Sequence, residues 1–409
     1  MSSSINLSDQ LTVRLGDLGY TYPGLSGKSK DDFGFGKPYI PYMNIFSNCK
    51  IKKGFLEFVD IKPTDRQNKV QTGDLFFTTS SETVEEVGMT SVLLDDIGEA
   101  YLNSFCFGFR LYNFDILLPE FAAYLFRGDE LRKKISLFGQ GSTRYNLPKT
   151  QMFQKLYLNL PDKVQQQKIA HILTTCDTVI EQTQSAIAKY KAIKQGLLHD
   201  LFTRGLDANG HLRPSYPDAP ELYKETELGM IPKDWKMQRL VEIATMKSGD
   251  GITSAFIADT GDFPVYGGNG LRGYTTAFTH EGDYVLIGRQ GALCGNITRV
   301  SNKFFASEHA VVVTVNKDID VDWLSQKLDA MNLNQYSEAS AQPGLAVAKI
   351  LRLFITKPQH NEQKEIGKRL LSLDNKMHAE EILLQKYQSI KRGLMGDLLG
   401  GRKTVDNGG

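Results

Sequence analysis

The sequence predicts an α+β fold, with two globules related by an internal repeat and joined by two long helices that form an antiparallel coiled coil. Three observations carry that expectation. First, "AKYKAIKQGLLHDL" (Ala188 to Leu201) and "QKYQSIKRGLMGDL" (Gln385 to Leu398) say nearly the same thing twice, about half a chain apart. Self-similarity at a fixed offset marks a duplicated architecture. Second, apolar residues in both stretches recur at alternating steps of four and three, which is the period of a coiled-coil seam. Third, short apolar runs broken by Gly-rich turns precede each stretch, as strands and turns do in a mixed globule.

Taken in order, residues 1–159 are expected to form the first globule. It enters on "VRLGDLGY" (Val13 to Tyr20), carries a Gly-Asp turn and apolar strand in "QTGDLFFTTSS" (Gln71 to Ser81), and closes on the extended run "QKLYLNLP" ending at Pro161. A first helix follows over 160–204, its seam running through Ile169, Leu173, Cys176, Ile180, Ile187, Tyr190, Leu197 and Leu201. Residues 205–227, rich in Pro, Gly and Asp, read as a connector. The second globule, 228–356, echoes the first: "QRLVEIAT" (Gln238 to Thr245) at its entry, "HEGDYVLIGRQG" (His280 to Gly291) inside it, and "LRLFITKP" ending at Pro358. The second helix covers 357–402, with Ile366, Leu370, Leu373, Met377, Leu384, Tyr387, Leu394 and Leu398 on its seam, and 403–409 is a tail.

Aligning Pro161 with Pro358 gives an offset of 358 − 161 = 197 that holds without a gap to Leu201 and Leu398. Both copies turn polar at the same step, Thr183 and Glu380, so the seam is interrupted symmetrically. Each proline bars continuation of a helix from upstream but is compatible with starting one. With the order globule, helix, globule, helix, the second helix has to run back along the first. Some 40 residues at about 1.5 Å each would span roughly 60 Å, which places the globules at opposite ends of a rod.

Composition narrows the function classes. Lys and Arg (48) nearly cancel Asp and Glu (47), so any nucleic-acid contact has to be local. Cys49, Cys106, Cys176 and Cys294 are widely separated, suggesting neither a disulfide framework nor a zinc site, and a cytoplasmic setting is expected. The start "MSSSINLSDQ" lacks a signal pattern, and no apolar run is long enough to span a membrane. Catalytic motifs are missing too. There is no Pro-Pro dipeptide for an adenine methyltransferase and no His-Glu-x-x-His site, and "YPGLSGKS" (Tyr22 to Ser29) starts with Tyr where a phosphate loop needs Gly. The chain is expected to be non-catalytic.

Several stretches carry a family resemblance: "KQGLLHDLFTRGLDANGHLRPS" at the end of the first helix, "ELGMIPKDWK" (Glu227 to Lys236), "VYGGNGLRGY" (Val265 to Tyr274) and "GDYVLIGRQGALCGN" (Gly282 to Asn296). In these, and in its repeat, the chain resembles the specificity subunit of type I restriction-modification systems. The resemblance implies two target recognition domains, each reading one half of a split, asymmetric site in double-stranded DNA, with the coiled coil setting the unread spacer. It also implies docking of two methyltransferase subunits, which use S-adenosylmethionine to methylate adenine. A restriction subunit using ATP and Mg would complete the larger assembly. A coiled-coil scaffold that binds no nucleic acid is the other reading of a duplicated chain.

Major-groove readout needs forked donors, Arg for guanine and Asn or Gln for adenine, on loops that can reach in. In the second globule this singles out Asn269, Arg272, Arg289, Gln290 and Gln342, with Gly267, Gly268 and Gly270 letting the backbone approach phosphates. In the first, "FGQGSTRYNLPK" (Phe138 to Lys149) takes the place of "SAQPGL" and puts forward Gln140, Ser142, Thr143, Arg144 and Asn146. Lys28, Lys30 and the run Arg132 to Lys134 are candidate phosphate contacts. The seam residues Ile169, Leu173, Ile180, Ile187, Tyr190, Leu197, Ile366, Leu370, Met377, Leu384, Tyr387 and Leu394 are assigned to the coiled coil and to partner docking. With a net charge of only +1, much of the grip on phosphate is expected to come from partner subunits.

Overall fold

The computed structural model describes residues 11–291, 293–337 and 344–405. The chain divides into two compact units. Unit 1 joins the first 183 residues to the stretch from Leu383 onward, and unit 2 comprises Gln184–Ile382.

Within unit 1 a four-stranded antiparallel sheet runs in the order Gly19–Pro23, Cys106–Leu111, Leu75–Thr78, Thr90–Val92. The central strand explains why the sequence is apolar at every step there. Leu75 and Phe77 point into one cluster with Phe109, Phe121 and Tyr124, and Phe76 points the other way into a cluster with Tyr22, Ile40 and Ile45. Successive side chains on a strand alternate in direction, so a strand buried on both faces has to be apolar throughout. A smaller sheet orders Glu57–Val59, Phe33–Ile40 and Tyr101–Leu102, the last contact being parallel. The entry strand Leu11–Arg14 pairs antiparallel with the closing strand Tyr157–Leu160.

Unit 2 repeats this scheme. Its sheet runs Ala244–Ser248, Ala310–Val315, Tyr284–Gly288, Ile297–Val300. Val285 and Ile287 face one cluster and Leu286 the other. A parallel contact again occurs in the second sheet, between Phe263–Gly267 and Lys303–Ala306, and Lys236–Arg239 closes against Phe354–Lys357.

The long helices are Lys163–Thr203 and His360–Leu399. In unit 1, Ile169 and Leu173 of the first helix and Leu398 of the second are buried in one core. Gln165 exchanges hydrogen bonds with Val405 (2.9 and 3.1 Å), and Asp177 pairs with Lys391, so the two helices run antiparallel there. In unit 2, Lys191 reaches Glu381 (3.8 Å) and Lys194 reaches Asp374 (2.6 Å), again antiparallel, while Leu201, Ile366 and Leu370 share a core with Trp323. The Asp177–Lys391 and Lys194–Asp374 bridges are images of each other under the offset of 197, since 374 − 177 and 391 − 194 both equal it.

Each helix start is held by a buried glutamine. The Gln166 amide accepts from the Leu118 N–H (2.9 Å) and donates to the carbonyls of Ile116 (2.8 Å) and Pro161 (3.0 Å). Gln363 accepts from the Asp320 N–H (2.9 Å) and donates to Pro358 (2.9 Å) and Asp318 (3.4 Å). The segment read as a connector is well packed onto unit 2. Leu206 and Tyr223 are buried, and Glu362 receives the Leu206 N–H (2.7 Å), Arg213 (2.6 Å) and the Trp235 indole (3.1 Å).

Candidate nucleic-acid interface

In unit 2 the turn Gly267–Gly270 joins two strands of the second sheet, with Gly270 at φ +80° closing it. A Cβ added at Gly268 would lie 3.3 Å from the carbonyl oxygens of both Gln290 and His309, so this turn packs flat against the end of the central strand. That approach brings Asn269 together with Arg289 and Gln290, and all three are exposed, as is Arg272. Asn269 Oδ1 accepts from Asn296 Nδ2 (3.0 Å), and Arg289 Nη1 donates to Ser248 Oγ (3.1 Å). Gln342 lies outside the described residues. Its neighbour Gly344 bridges to Gln290, and the Leu345 N–H donates to the Arg289 carbonyl (2.9 Å).

In unit 1 the corresponding loop is pinched by two backbone bonds between Gln140 and Asn146 (3.0 and 2.8 Å). Gly141 sits at φ +142°, where a Cβ would be 2.0 Å from the Arg144 carbonyl oxygen, so only glycine fits. Ser142, Thr143, Arg144 and Asn146 are presented to solvent, with Arg144 Nε leaning on Ser80 Oγ (3.1 Å). Leu147 then returns its N–H to the Thr79 carbonyl (2.9 Å), as Leu345 does to Arg289. Beside the loop lies a cleft of about 710 Å³ lined by Thr79, Ser104, Lys149, Gln151 and Gln154, among others.

A family model described as the type I restriction modification DNA specificity domain matches the chain twice, over residues 11–190 and 232–390. The chain belongs to that family. Among relatives, it is 46% identical to the Escherichia coli type I restriction enzyme EcoprrI specificity subunit over 146 residues, 34% of this chain and 35% of that protein. It is 23% identical to the MjaVIII specificity subunit of Methanocaldococcus jannaschii over 288 residues, 63% of this chain and 64% of that protein. The alignments thus span less than two thirds of either relative. A solved structure, the type I restriction-modification S subunit from M. genitalium, shares the fold with a TM-score of 0.67 at 18% identity, covering 100% of this chain and 99% of that one.

Within the two specificity domains, some expected contacts are otherwise engaged. Lys28 forms an ion pair with Asp65 that leaves its side chain 6% exposed, so it is not available to phosphate. Arg132 is turned inward as well: it donates to the carbonyls of Glu85 (2.8 Å), Val87 (2.5 Å) and Gly88 (2.8 Å), and burial pulls its pKa down to about 10. In each case the cause is a partner distant in sequence. Lys30 is exposed at the start of a short 3-10 turn capped by Ser29.

The seam residues lie mostly inward. Ile169, Leu173, Ile187, Ile366 and Leu370 are buried, and Ile180, Tyr190, Leu197, Met377, Leu384, Tyr387 and Leu394 are half-buried. That leaves the buried ones without surface for a partner. Sequence reasoning missed Asn296 and Ser248, which hydrogen-bond Asn269 and Arg289, and Lys149 and Gln151 beside the first loop. The "CGN" that ends the quoted strand motif was a usable signal for Asn296, because it supplies an amide next to a glycine turn. Among the described residues no helix is long and apolar enough to cross a membrane, and no group of His, Cys, Asp and Glu is placed to hold a metal ion.

Proposed function

We propose that this chain reads a split, asymmetric sequence in double-stranded DNA, one half per specificity domain, for a complex that methylates adenine. The observation that carries this is the duplicated frame holding two unlike loops at one position, the end of the central strand. Two different half-sites require that combination. In the second domain, Arg272 and Arg289 would fork onto guanine, and Asn269, Gln290 and Gln342 onto adenine. In the first, Arg144, Gln140 and Asn146 would take those roles, with Ser142, Thr143 and Lys30 positioning the backbone. Residues 1–159 and 228–356 are the two readers in this account. The helices 160–204 and 357–402, with the connector 205–227 and tail 403–409, set the unread spacer.

The chain performs no chemistry of its own in this reading. Two methyltransferase subunits bring S-adenosylmethionine, and restriction subunits, where they join, bring ATP and Mg. The test is to co-express the chain with the methyltransferase subunit encoded beside it and map modified adenines across a genome by single-molecule sequencing. The expected result is a motif of two fixed halves separated by an unread spacer of constant length. A complex that forms yet leaves no such motif refutes the reading.

A further inference from the structure

The end of each central strand touches a second segment besides the reading loop, a tight turn that covers residues 102–106 in the first domain and 306–310 in the second. Matching backbone bonds hold the two turns alike. Within the turn, Cys106 donates to the Asn103 carbonyl (3.1 Å) as Ala310 does to Ser307 (2.9 Å). Asn103 donates to Ile40 (3.1 Å) as Ser307 does to Tyr266 (2.8 Å). From outside, Leu25 donates to Leu102 (2.8 Å) as Asp250 does to Ala306 (2.9 Å), and Gly24 to Cys106 (3.3 Å) as Gly249 does to Ala310 (2.9 Å). The residues past the central strands complete the match: Thr79 donates to the Phe105 carbonyl (3.0 Å) and Arg289 to that of His309 (2.9 Å). Each partner in the second domain falls at one offset, 309 − 105 = 204.

What this shared frame carries is unlike: Ser104 and Phe105 in the first domain, Glu308 and His309 in the second. Both turns adjoin a reading loop. Ser104 lines the cleft beside the loop pinched at Gln140 and Asn146, and Phe105 next to it is 57% exposed. In the second domain, a Cβ added at Gly268 would lie 3.8 Å from the His309 Cβ, so the turn that carries Asn269 rests against this one. The Glu308 side chain is 41% exposed, with Oε1 3.2 Å from His309 Nε2 and Oε2 accepting from the Ile252 N–H (3.4 Å). A carboxylate offers about four lone-pair sites, so both oxygens can still accept. A negative charge on a surface that meets phosphate is repelled unless it also accepts a hydrogen bond from the DNA.

We propose that Phe105 and Glu308 are specificity-determining residues, Phe105 packing on the methyl group of a thymine in the first half-site and Glu308 accepting from the N4 amino group of a cytosine in the second. This rests on the function proposed above. Both contacts are made in the major groove, where the thymine methyl and the cytosine amino group are exposed. His309 is a positioning residue that holds the Glu308 carboxylate. Each domain then reads with two segments, its loop and this turn, and the same rule governs both: a repeated backbone frame presents unlike side chains. Neither residue lies in a run of forked donors, and the turns match at 204 rather than at the helix offset of 197, so only the hydrogen bonds bring them into register.

The test co-expresses the full chain, as wild type, Phe105→Ala or Glu308→Gln, with the methyltransferase subunit and maps methylated adenines by single-molecule sequencing. Phe105→Ala should relax one A·T position of the first half and leave the second half unchanged. Glu308→Gln should relax one G·C position of the second half and leave the first unchanged. Duplexes of the mapped site then carry uracil in place of the thymine concerned, which deletes only its methyl group. Wild-type binding should weaken about 4-fold, the loss expected for one buried methyl, and the Phe105→Ala complex should not respond. Both side chains are largely solvated, so each variant should melt with wild type. A lowered melting temperature together with changes in both halves would make these packing residues and overturn the proposal. Unchanged motifs in both variants, or a uracil effect that survives in Phe105→Ala, would overturn it while leaving the split-site reading intact. A wild-type complex that leaves no split motif would overturn that reading and this proposal together.

Discussion

Leu147 in the first specificity domain and Leu345 in the second each donate an amide at 2.9 Å to the carbonyl of the residue just past the central strand, Thr79 or Arg289. What leads into each leucine is unrelated: "GQGSTRYN" in one, "SAQPG" in the other. The same contrast holds across both domains. Where Gln166 and Gln363 clamp the starts of the long helices, the domains agree. Where side chains face outward from the loops, they differ. Burial explains the difference, because a buried amide has few ways to be satisfied and a solvated loop has many.

The largest effect is expected where the domains agree. Gln166→Leu would strand the Leu118 N–H and two carbonyls, and Gln363→Leu the Asp320 N–H and two carbonyls. Each substitution should cost roughly 3–5 kcal/mol in denaturant unfolding, since every buried unsatisfied group costs on the order of 1–3 kcal/mol. A large difference between the two variants would break the equivalence of the helix clamps.

Lys327 then separates the domains. It is half-buried in the second, where it donates to the Thr356 hydroxyl (3.2 Å) and lies over the Phe202 ring (4.7 Å), and desolvation of its ammonium brings its pKa down to about 8. Below about 8 the lysine is protonated in both the folded and unfolded states. Above that, and up to the ordinary 10.5, only the unfolded chain keeps the proton, so stability should rise with pH across this window. The rise should be on the order of 3 kcal/mol. Lys327→Met should flatten it in a pH series of thermal melts, and a slope that persists in this variant would assign it elsewhere.

The reading loops should respond independently. Arg144→Ala should relax one half of the recognised sequence and Arg289→Ala the other, each by about 1–3 kcal/mol of base discrimination, measured by methylation mapping. If either variant altered both halves, the division into two readers would fail.

Smallest are the paired bridges. Double-mutant cycles of Asp177→Asn with Lys391→Met, and of Asp374→Asn with Lys194→Met, should each give a coupling of roughly 0.5–1 kcal/mol. The surroundings differ, because Asp177 also accepts from the Tyr124 hydroxyl (2.6 Å) and Asp374 from the Gln326 amide (2.6 Å). The neutral amide and the phenol should therefore shift the two couplings apart by no more than a few tenths of a kcal/mol.

The sequence by itself determined the duplication, the helices and the strands. Those signals are local or periodic: a seam stepping by three and four, a proline before each helix, an apolar run after a Gly-Asp turn. It also carried the family, because the motifs around Asn269 and Arg289 are contiguous. Only the tertiary structure decided which of the named side chains are free. Lys28 meets Asp65, 37 residues further on, and Arg132 meets carbonyls 44 to 47 residues back. The identical residues of the two helices likewise look alike on paper, and folding alone turned Ile169 and Leu173 inward and left Ile193 and Gly196 facing out. Whether a side chain is buried or paired depends on what the chain brings beside it from far along its length, and no local pattern encodes that.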